Sequence, residues 1–366
     1  MKIALFTDSF RKDLGGGTQV ARQLAFGLSK KGYEVLVITG STAEEETPFK
    51  VLKLPSIKYP FYHNVEIALP NVELLKELKN FNPDVIHYHD PFLAGTMALL
   101  MGKILKIPTV GTIHIHPKQL TYHGIKIDNG VIAKKLVSFF GNFTDCVVFV
   151  SKYQKKLYEE LDSFCVKVIY NGIPDYFFVS EKRKLRNPRN RILTVSRLDK
   201  DKNPEFALKC VAEISKEVPV EYTIVGEGNE KEKLEKLARK LGIKANFLGF
   251  VPREELPELY LSHDVLLNTS KTETFGLSFA EAMATGMPVI ALKEGSAPEI
   301  VGDGGILCEE KVECVKKAFL KLYQNPELYF KLSQKAPERA HVFRCERFLK
   351  DYESLYEEVI RTSVPR

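Results

Sequence analysis

Short apolar runs recur through the first half of the chain. IALFTD (3–8), VLVITG (35–40), VIHYH (85–89), TVGTIHI (109–115) and CVVFVS (146–151) are rich in Val, Ile and aromatic residues. Runs of this kind predict strands buried on both faces. Between them lie stretches with helical spacing. In QVARQLAFGLSKKG (19–32), Val20, Leu24 and Leu28 fall on one face. Gly32 stands where a helix C-terminus favours a left-handed residue. Buried strands alternating with helices predict a parallel, doubly wound sheet.

The pattern then restarts. RILTVSRL (191–198), EYTIVGEG (221–228), NFLGFV (246–251), DVLLNTS (264–270) and PVIAL (288–292) are again strand-like, with helical stretches between them. The interval 174–190, PDYFFVSEKRKLRNPRN, is charged, holds two prolines and lacks periodicity. It reads as a linker between two α/β domains, 1–173 and 191–344. The tail 345–366 carries Phe348, Leu349, Tyr352, Leu355 and Val359 as a helical stripe that either domain could receive. In open parallel sheets, ligands bind beyond the carboxyl ends of the strands. The loops after the strands are therefore the places to look for chemistry.

Length and composition agree with this reading. A chain of 366 residues with 44% hydrophobic and 27% charged residues is globular in type. No apolar run is long enough to span a bilayer. The start, MKIALFTDSF, meets an acidic residue at position 8 and reads as a first strand, not as a signal peptide. Six cysteines show no close pairing and no Cys-x-x-Cys, which favours reduced thiols and a cytoplasmic chain. Net charge is +6, and +5 of it lies in residues 1–172. That half could face a phosphate-rich partner or an anionic membrane surface. Ordinary surface charge is the plain alternative, and nucleic acid is not an expected partner.

Four loops carry candidate chemistry. KTETFGLSFAEAMATGMPVIA (271–291) follows a strand and opens a helix near Gly276 or Leu277. First-turn N–H groups suit a phosphate or sugar oxygen, and Gly276 allows close backbone approach. Glu281, one or two turns on, could accept two hydrogen bonds from a vicinal diol such as a ribose. A hydrolytic carboxylate pair is disfavoured. Eight residues on one helix separate Glu273 and Glu281 by ~12 Å, beyond the roughly 5–9.5 Å that such pairs need. SRLDKDKN (196–203) sets Arg197 and Lys202 on a strand-to-helix turn, where two cations could bracket a diphosphate. Its Asp199 and Asp201 are interleaved with lysines, which lessens the need for a metal. GGGTQ (15–19) is a turn feeding a helix N-terminus, without the dinucleotide-binding glycine fingerprint. GTIHIHP (111–117) ends a central strand, and its His114 and His116 share a face if that strand continues. With no further ligand at metal spacing, His114 is the better candidate for hydrogen bonding to a substrate. Gly226 and Val251 end two more strands, where main-chain groups could hold a base.

Taken together and in order, these stretches resemble the retaining glycosyltransferases of family 4. The resemblance rests on GGGTQ (15–19), PDVIHYHDP (83–91), GTIH (111–114), VIYNGI (168–173), SRLDKDKN (196–203), IVGEG (224–228), LGFV (248–251), ETFGLSFAEAMATGMPVIA (273–291) and SAPEIV (296–301). It implies a GT-B architecture, α/β throughout, with two doubly wound Rossmann-like domains facing a central cleft and the last helix packing back on the first. It implies a donor site for a nucleotide-diphosphate sugar and no cofactor or required metal. Glu273 would meet the transferred sugar, and the backbone of Phe275, Gly276 and Leu277 sugar and phosphate. Glu281 would hold the ribose, while Arg197 and Lys202 would neutralise the leaving diphosphate. His114 would sit by the reacting centre, Gly16 and Gly17 by donor phosphate and acceptor, and Val251 by the base. Gln19, His114 and His116 are the acceptor-side candidates.

The stretches 59–70, 86–92 and 116–143 are similar to the branch that glycosylates diacylglycerol-type lipids. They imply a lipid acceptor and peripheral contact with the inner face of the cell membrane. A soluble sugar or polyol acceptor is the alternative. A nucleotide-sugar epimerase or a noncatalytic nucleotide-sugar binder is the alternative of another class.

Overall fold

The computed structural model describes residues 1–41, 46–58, 66–69, 71–119, 130–159, 161, 165–184 and 189–363. Their contacts divide into two units. The first holds Met1–Gly172 with Glu346–Arg366, and the second Ile173–Cys345.

The first unit is built on β1 (Lys2–Ser9), β2 (Glu34–Ser41), β3 (Lys50–Lys53), β4 (Ser56–Lys58), β5 (Glu66–Ala68), β6 (Val85–His89), β7 (Thr109–Ile113), β8 (Cys146–Phe149) and β9 (Val166–Val168). Seven of these form one parallel sheet in the order β3-β2-β1-β6-β7-β8-β9, and β4 pairs antiparallel with β5. The apolar runs of the sequence are its central strands, buried on both faces. Helix Gly16–Lys30 buries Val20, Leu24 and Leu28, and Gly32, just past its end, adopts φ 89°. The short strands β3 and β9 were not legible as apolar runs. They lie at the sheet edges and are only partly buried, so the sequence is under little pressure to be continuously apolar there.

The C-terminal helix, Cys345–Thr362, belongs to this unit. It buries Phe348, Leu349, Tyr352, Leu355, Tyr356 and Val359. Gly27 lies so close to Leu349 that a Cβ on it would stand 2.6 Å from a leucine methyl. The helix also makes polar contacts inside the core. His87 Nδ1 pairs with Tyr356 Oη at 2.7 Å and His87 Nε2 with Thr112 Oγ1 at 2.8 Å. Thr112 Oγ1 pairs in turn with Tyr352 Oη at 2.7 Å. All four side chains are buried, so each polar atom depends on its neighbour for hydrogen bonding.

The second unit contains β10 (Arg191–Val195), β11 (Glu221–Val225), β12 (Ala245–Gly249), β13 (Val265–Asn268), β14 (Val289–Leu292) and β15 (Gly305–Cys308). They form a parallel sheet in the order β12-β11-β10-β13-β14-β15. Leu208, Val211, Ile224, Val265, Ile290 and Phe319 lie in its main core. Where the sequence reads as a linker, residues 174–184 carry two 3-10 turns counted in this unit. Arg183 donates to the carbonyls of Thr285, His263 and Tyr260 at 2.7–2.9 Å. Arg189 is buried and donates to the Tyr323 carbonyl at 2.6 Å. Two of the charges that made this stretch look solvated, Arg183 and Arg189, are spent on backbone carbonyls.

The cysteine reading needs correction. Cys146 opens β8, and Cys165 stands immediately before its neighbour β9; the two form a disulfide. Nineteen residues separate them in sequence, but parallel pairing brings them to one end of adjacent strands. Cys210, Cys308, Cys314 and Cys345 form no disulfide.

Replacing Tyr356 with Phe keeps the ring and leaves one buried nitrogen of His87 without its partner. The variant should lose about 1–3 kcal/mol of stability. Urea unfolding followed in the first unit checks this, and an unchanged midpoint would show that the hydroxyl is dispensable.

Candidate active site

In each sheet the strand order reverses once, between β1 and β6 and between β10 and β13. Connections leave opposite faces at such a point, so the carboxyl ends of those strands border an opening. The candidate residues gather at these two places, one cluster in each unit.

In the first unit the cluster follows β1, β6 and β7. Helix Gly16–Lys30 starts with no side-chain cap. A Cβ on Gly17 would lie 3.3 Å from the His114 ring, so these two predicted residues are brought together. Gly16, the first residue of the helix, is exposed. Gln19 donates to the carbonyls of Lys12 at 2.5 Å and Leu14 at 3.1 Å, and so braces the turn before the helix. His114 Nε2 pairs with His89 Nδ1 at 2.8 Å, their rings stacked. The strand ends at Ile113, so His114 and His116 do not act as a pair. His116 instead stacks on Tyr153, pairs with its hydroxyl at 3.1 Å, and is buried.

Asp90 holds this turn in shape. Its φ is 63°, and its carboxyl accepts from the backbone N–H groups of His114 at 2.6 Å and Ile115 at 3.1 Å. Asp8, at the end of β1, accepts from the N–H of Ala94 in the first turn of helix Leu93–Leu105. Burial pushes the Asp8 carboxyl up to about 6 and the Asp90 carboxyl up to about 7. Burial also pushes His87 and His114 down to about 3 and His89 well below the usual imidazole range. At neutral pH the imidazoles are uncharged. In each, one ring nitrogen carries the proton and can donate, and the other can accept. The His114 imidazole can therefore exchange hydrogen bonds with a hydroxyl without bringing a positive charge.

In the second unit, loop 196–203 follows β10 and loop 269–276 follows β13. Lys202 Nζ meets Glu273 Oε1 at 2.8 Å, with both side chains largely buried. Arg197 is held by Asp199, and by Asp201 at 3.0 Å. The Asp-x-Asp of the sequence is thus wrapped around Arg197. The two cations expected to bracket a diphosphate are matched here by three carboxylates. Thr272 Oγ1 donates to the Asp201 carbonyl at 3.3 Å and Thr269 Oγ1 to the Asn203 carbonyl at 2.9 Å, tying the loops together.

Gly276 caps helix Leu277–Ala284 with φ 80°, and a Cβ there would lie 2.4 Å from the Phe279 ring. Only glycine fits that turn, which leaves the first-turn N–H groups from Leu277 onward at the loop. Phe275 is buried against Phe343, and its carbonyl accepts from Ser296 Oγ at 2.9 Å. Gly226 has φ 131°, and a Cβ on it would stand 1.9 Å from the Ser196 carbonyl oxygen. This close approach sets the β11 loop against the start of loop 196–203.

Glu281 is not an exposed helix residue. It is buried, with Arg253 Nε at 2.8 Å from Oε1 and the Tyr260 hydroxyl donating to Oε2 at 3.1 Å. Val251 lies two residues before Arg253. Sequence reading missed Arg253 and Tyr260 as partners of Glu281. The one available signal was a lone arginine just after the β12 run, in VPREEL (251–256). It also missed Asp90, whose role depends on a backbone turn that no spacing reveals.

Comparison with known proteins adds independent findings. The model for glycosyltransferase family 4 matches residues 14–176, and that for glycosyl transferases group 1 matches residues 176–339. The chain is 28% identical to the alpha-monoglucosyldiacylglycerol synthase of Acholeplasma laidlawii, over 98% of each chain. It is 30% identical to an uncharacterized glycosyltransferase of Methanocaldococcus jannaschii, over 82% of this chain and 83% of that one. Among solved structures it is similar to the Anabaena HepE protein in complex with UDP-glucose. The TM-score is 0.76 at 20% identity, over 98% of this chain and all of the other.

Replacing Arg253 with Met leaves the Glu281 carboxylate buried without its cation. Breaking a buried pair from one side costs about 3–5 kcal/mol. The deficit should widen between acidic and neutral pH, because a lone buried carboxylate opposes folding only when ionised. Thermal unfolding of variant and parent across that range checks the sign. A deficit that stays constant would mean that packing, not charge, is what was lost.

Proposed function

The chain belongs to the family 4 glycosyltransferases and has the GT-B fold, and from that premise we propose a retaining, metal-independent transfer of a hexose. The donor is a nucleotide-diphosphate sugar and the acceptor a hydroxyl of a diacylglycerol-type lipid. Peripheral contact with the inner face of the cell membrane is part of this reading. The observation that carries the donor assignment is the meeting of loops 196–203 and 269–276 where the second sheet reverses its order. There Lys202 and Glu273 pair at 2.8 Å beside the first turn of helix Leu277–Ala284. Support for the substrates comes from relatives: a diacylglycerol glycosyl synthase among homologues and UDP-glucose in a structural neighbour.

The chemistry follows from the charges. The bond from the anomeric carbon to the phosphate oxygen breaks, and negative charge builds on the leaving diphosphate. Arg197, Lys202 and the helix N–H groups stabilise that charge. Lys202 exchanges Glu273 for a phosphate oxygen, and the released Glu273 accepts from sugar hydroxyls. Glu281, already oriented by Arg253 and Tyr260, accepts from the ribose diol. In the first unit, uncharged His114 exchanges hydrogen bonds with the sugar, while Asp90 fixes its backbone. Gly16, Gly17, Gln19 and His116 are assigned to the acceptor side and to the approach of donor phosphate; Phe275, Leu277, Gly226 and Val251 contribute main-chain contacts. The acceptor hydroxyl attacks the face the diphosphate leaves, and its proton passes to the leaving phosphate. The anomeric configuration is therefore retained.

Nucleotide release from a panel of nucleotide sugars, in EDTA and with or without diacylglycerol-containing vesicles, tests the proposal. Release should survive EDTA, rise with the lipid and give a product of the donor's own anomeric configuration by NMR. Glu273→Ala should lower kcat/KM by about 100-fold or more, that is about 2.7 kcal/mol of transition-state stabilisation. Sugar interconversion without nucleotide release would overturn the transferase assignment, and stimulation only by soluble sugars would overturn the lipid acceptor.

A further inference from the structure

Among the described residues, the first unit concentrates its exposed apolar surface in one place, with Ile57 apart from it. Among the described residues, thirteen large hydrophobic side chains are exposed, and eight of them lie on or beside helices Leu93–Leu105 and Val131–Gly141. Leu100, Ile104, Val131, Ile132, Phe139 and Phe143 form most of this set, Phe139 at 59% exposure. Between the helices runs a shallow groove of ≈ 260 Å³ floored by Leu99, Phe140 and Phe143. It is open and smaller than the pockets that enclose drug-sized ligands, which suits a surface partner better than a small molecule. An apolar concentration of this kind marks an interaction site more often than chance exposure does.

The two segments that form the patch carry charge of one sign, with Asp145 at its edge beside Lys103 and Lys106. The chain has 47 acidic residues, roughly one in eight, yet none falls in 91–107 or 130–144. Those two segments hold Lys103, Lys106, Lys134 and Lys135, all exposed. Lys103 lies over the Phe143 ring at 5.9 Å, its stem along the apolar groove and its charge at the rim. Neither helix can cross a bilayer: they have 13 and 11 residues, and no described helix is long and apolar enough. Aromatic and aliphatic groups beside these lysines match a surface lying in the headgroup region of an anionic leaflet. A second copy of the same face would set lysines against lysines, so self-association is disfavoured.

We infer that helices Leu93–Leu105 and Val131–Gly141 form a docking face for an anionic lipid bilayer, seated by Phe139, Phe143, Leu100 and Ile104 and held by the four lysines. This deepens the membrane contact in the proposed function, but it needs neither that donor nor that acceptor.

Flotation of the full chain with vesicles, with no nucleotide sugar present, tests the inference separately. The vesicles are phosphatidylcholine alone, or phosphatidylcholine with roughly a third phosphatidylglycerol. The chain should float with the anionic vesicles only, and raised salt should weaken the association. Lys134→Glu with Lys135→Glu should reduce binding at least about tenfold. Phe139→Ser with Phe143→Ser should reduce it similarly while leaving the thermal midpoint and soluble nucleotide release near the parent values. Equal binding to both vesicle types, no binding to either, or binding untouched by both double variants would overturn the inference. So would a dimer in solution that either double variant dissociates. Failure of nucleotide release with intact vesicle binding would count against the transferase reading alone.

Discussion

A parallel strand must hand its chain to a helix at its carboxyl end, and where strand order reverses those helices leave by opposite faces. The backbone groups exposed there have no sheet partner on one side. In this protein, side chains have taken over that role. Asp90 accepts from two N–H groups after β7, Asp8 from the first turn of a helix after β6, and Thr269 and Thr272 bind carbonyls of the β10 loop. Polar residues concentrated for this reason are also the ones near enough to act together. The same constraint that satisfies the backbone therefore fixes where Glu273, Lys202 and Arg197 stand in the second unit and where His114 stands in the first.

The two clusters solve the problem of burying polar groups in opposite ways. In the second unit each cation has a carboxylate: Lys202 with Glu273, Arg253 with Glu281, Arg197 with two aspartates. Such a site can receive an anionic ligand only by exchanging partners, and the freed carboxylates are then available to hydroxyls. In the first unit burial opposes charge on each group. Burial raises Asp8 and Asp90 and lowers His87, His89 and His114. A hydroxyl or a sugar can be received there without moving an ion. The cluster of one unit is arranged to meet charge and that of the other to meet dipoles.

How much of this the sequence disclosed depended on whether a feature was local. Central strands were legible because burial on both faces demands continuous apolar runs, as in IALFTD and VIAL. The edge strands Lys50–Lys53 and Val166–Val168 carry no such demand and stayed hidden. Gly276 and the helix it caps were visible, since a left-handed turn before a helix has its own residue signature. Pairs across loops were not. Nothing local says that Arg253 reaches Glu281, that Lys202 reaches Glu273, or that Cys165 meets Cys146. The disorderly look of 174–190 misled for a related reason. Arg183 and Arg189 bond carbonyls from distant segments, so the charge of these two is structural, not a sign of solvation.

Helix Leu93–Leu105 connects the two themes of the first unit. Its first turn is bound by the Asp8 carboxyl, beside the turn that holds His114, whereas Leu100 and Ile104 face outward from its later turns. At a rise of 1.5 Å per residue, the ten steps from Ala94 to Ile104 cover ~15 Å. One rigid helix, with no flexible linker, therefore fixes the spacing between the polar cluster at its first turn and the apolar face at its later turns. The place of the apolar face and the shape of the turn beside His114 are thus set by the two ends of a single helix.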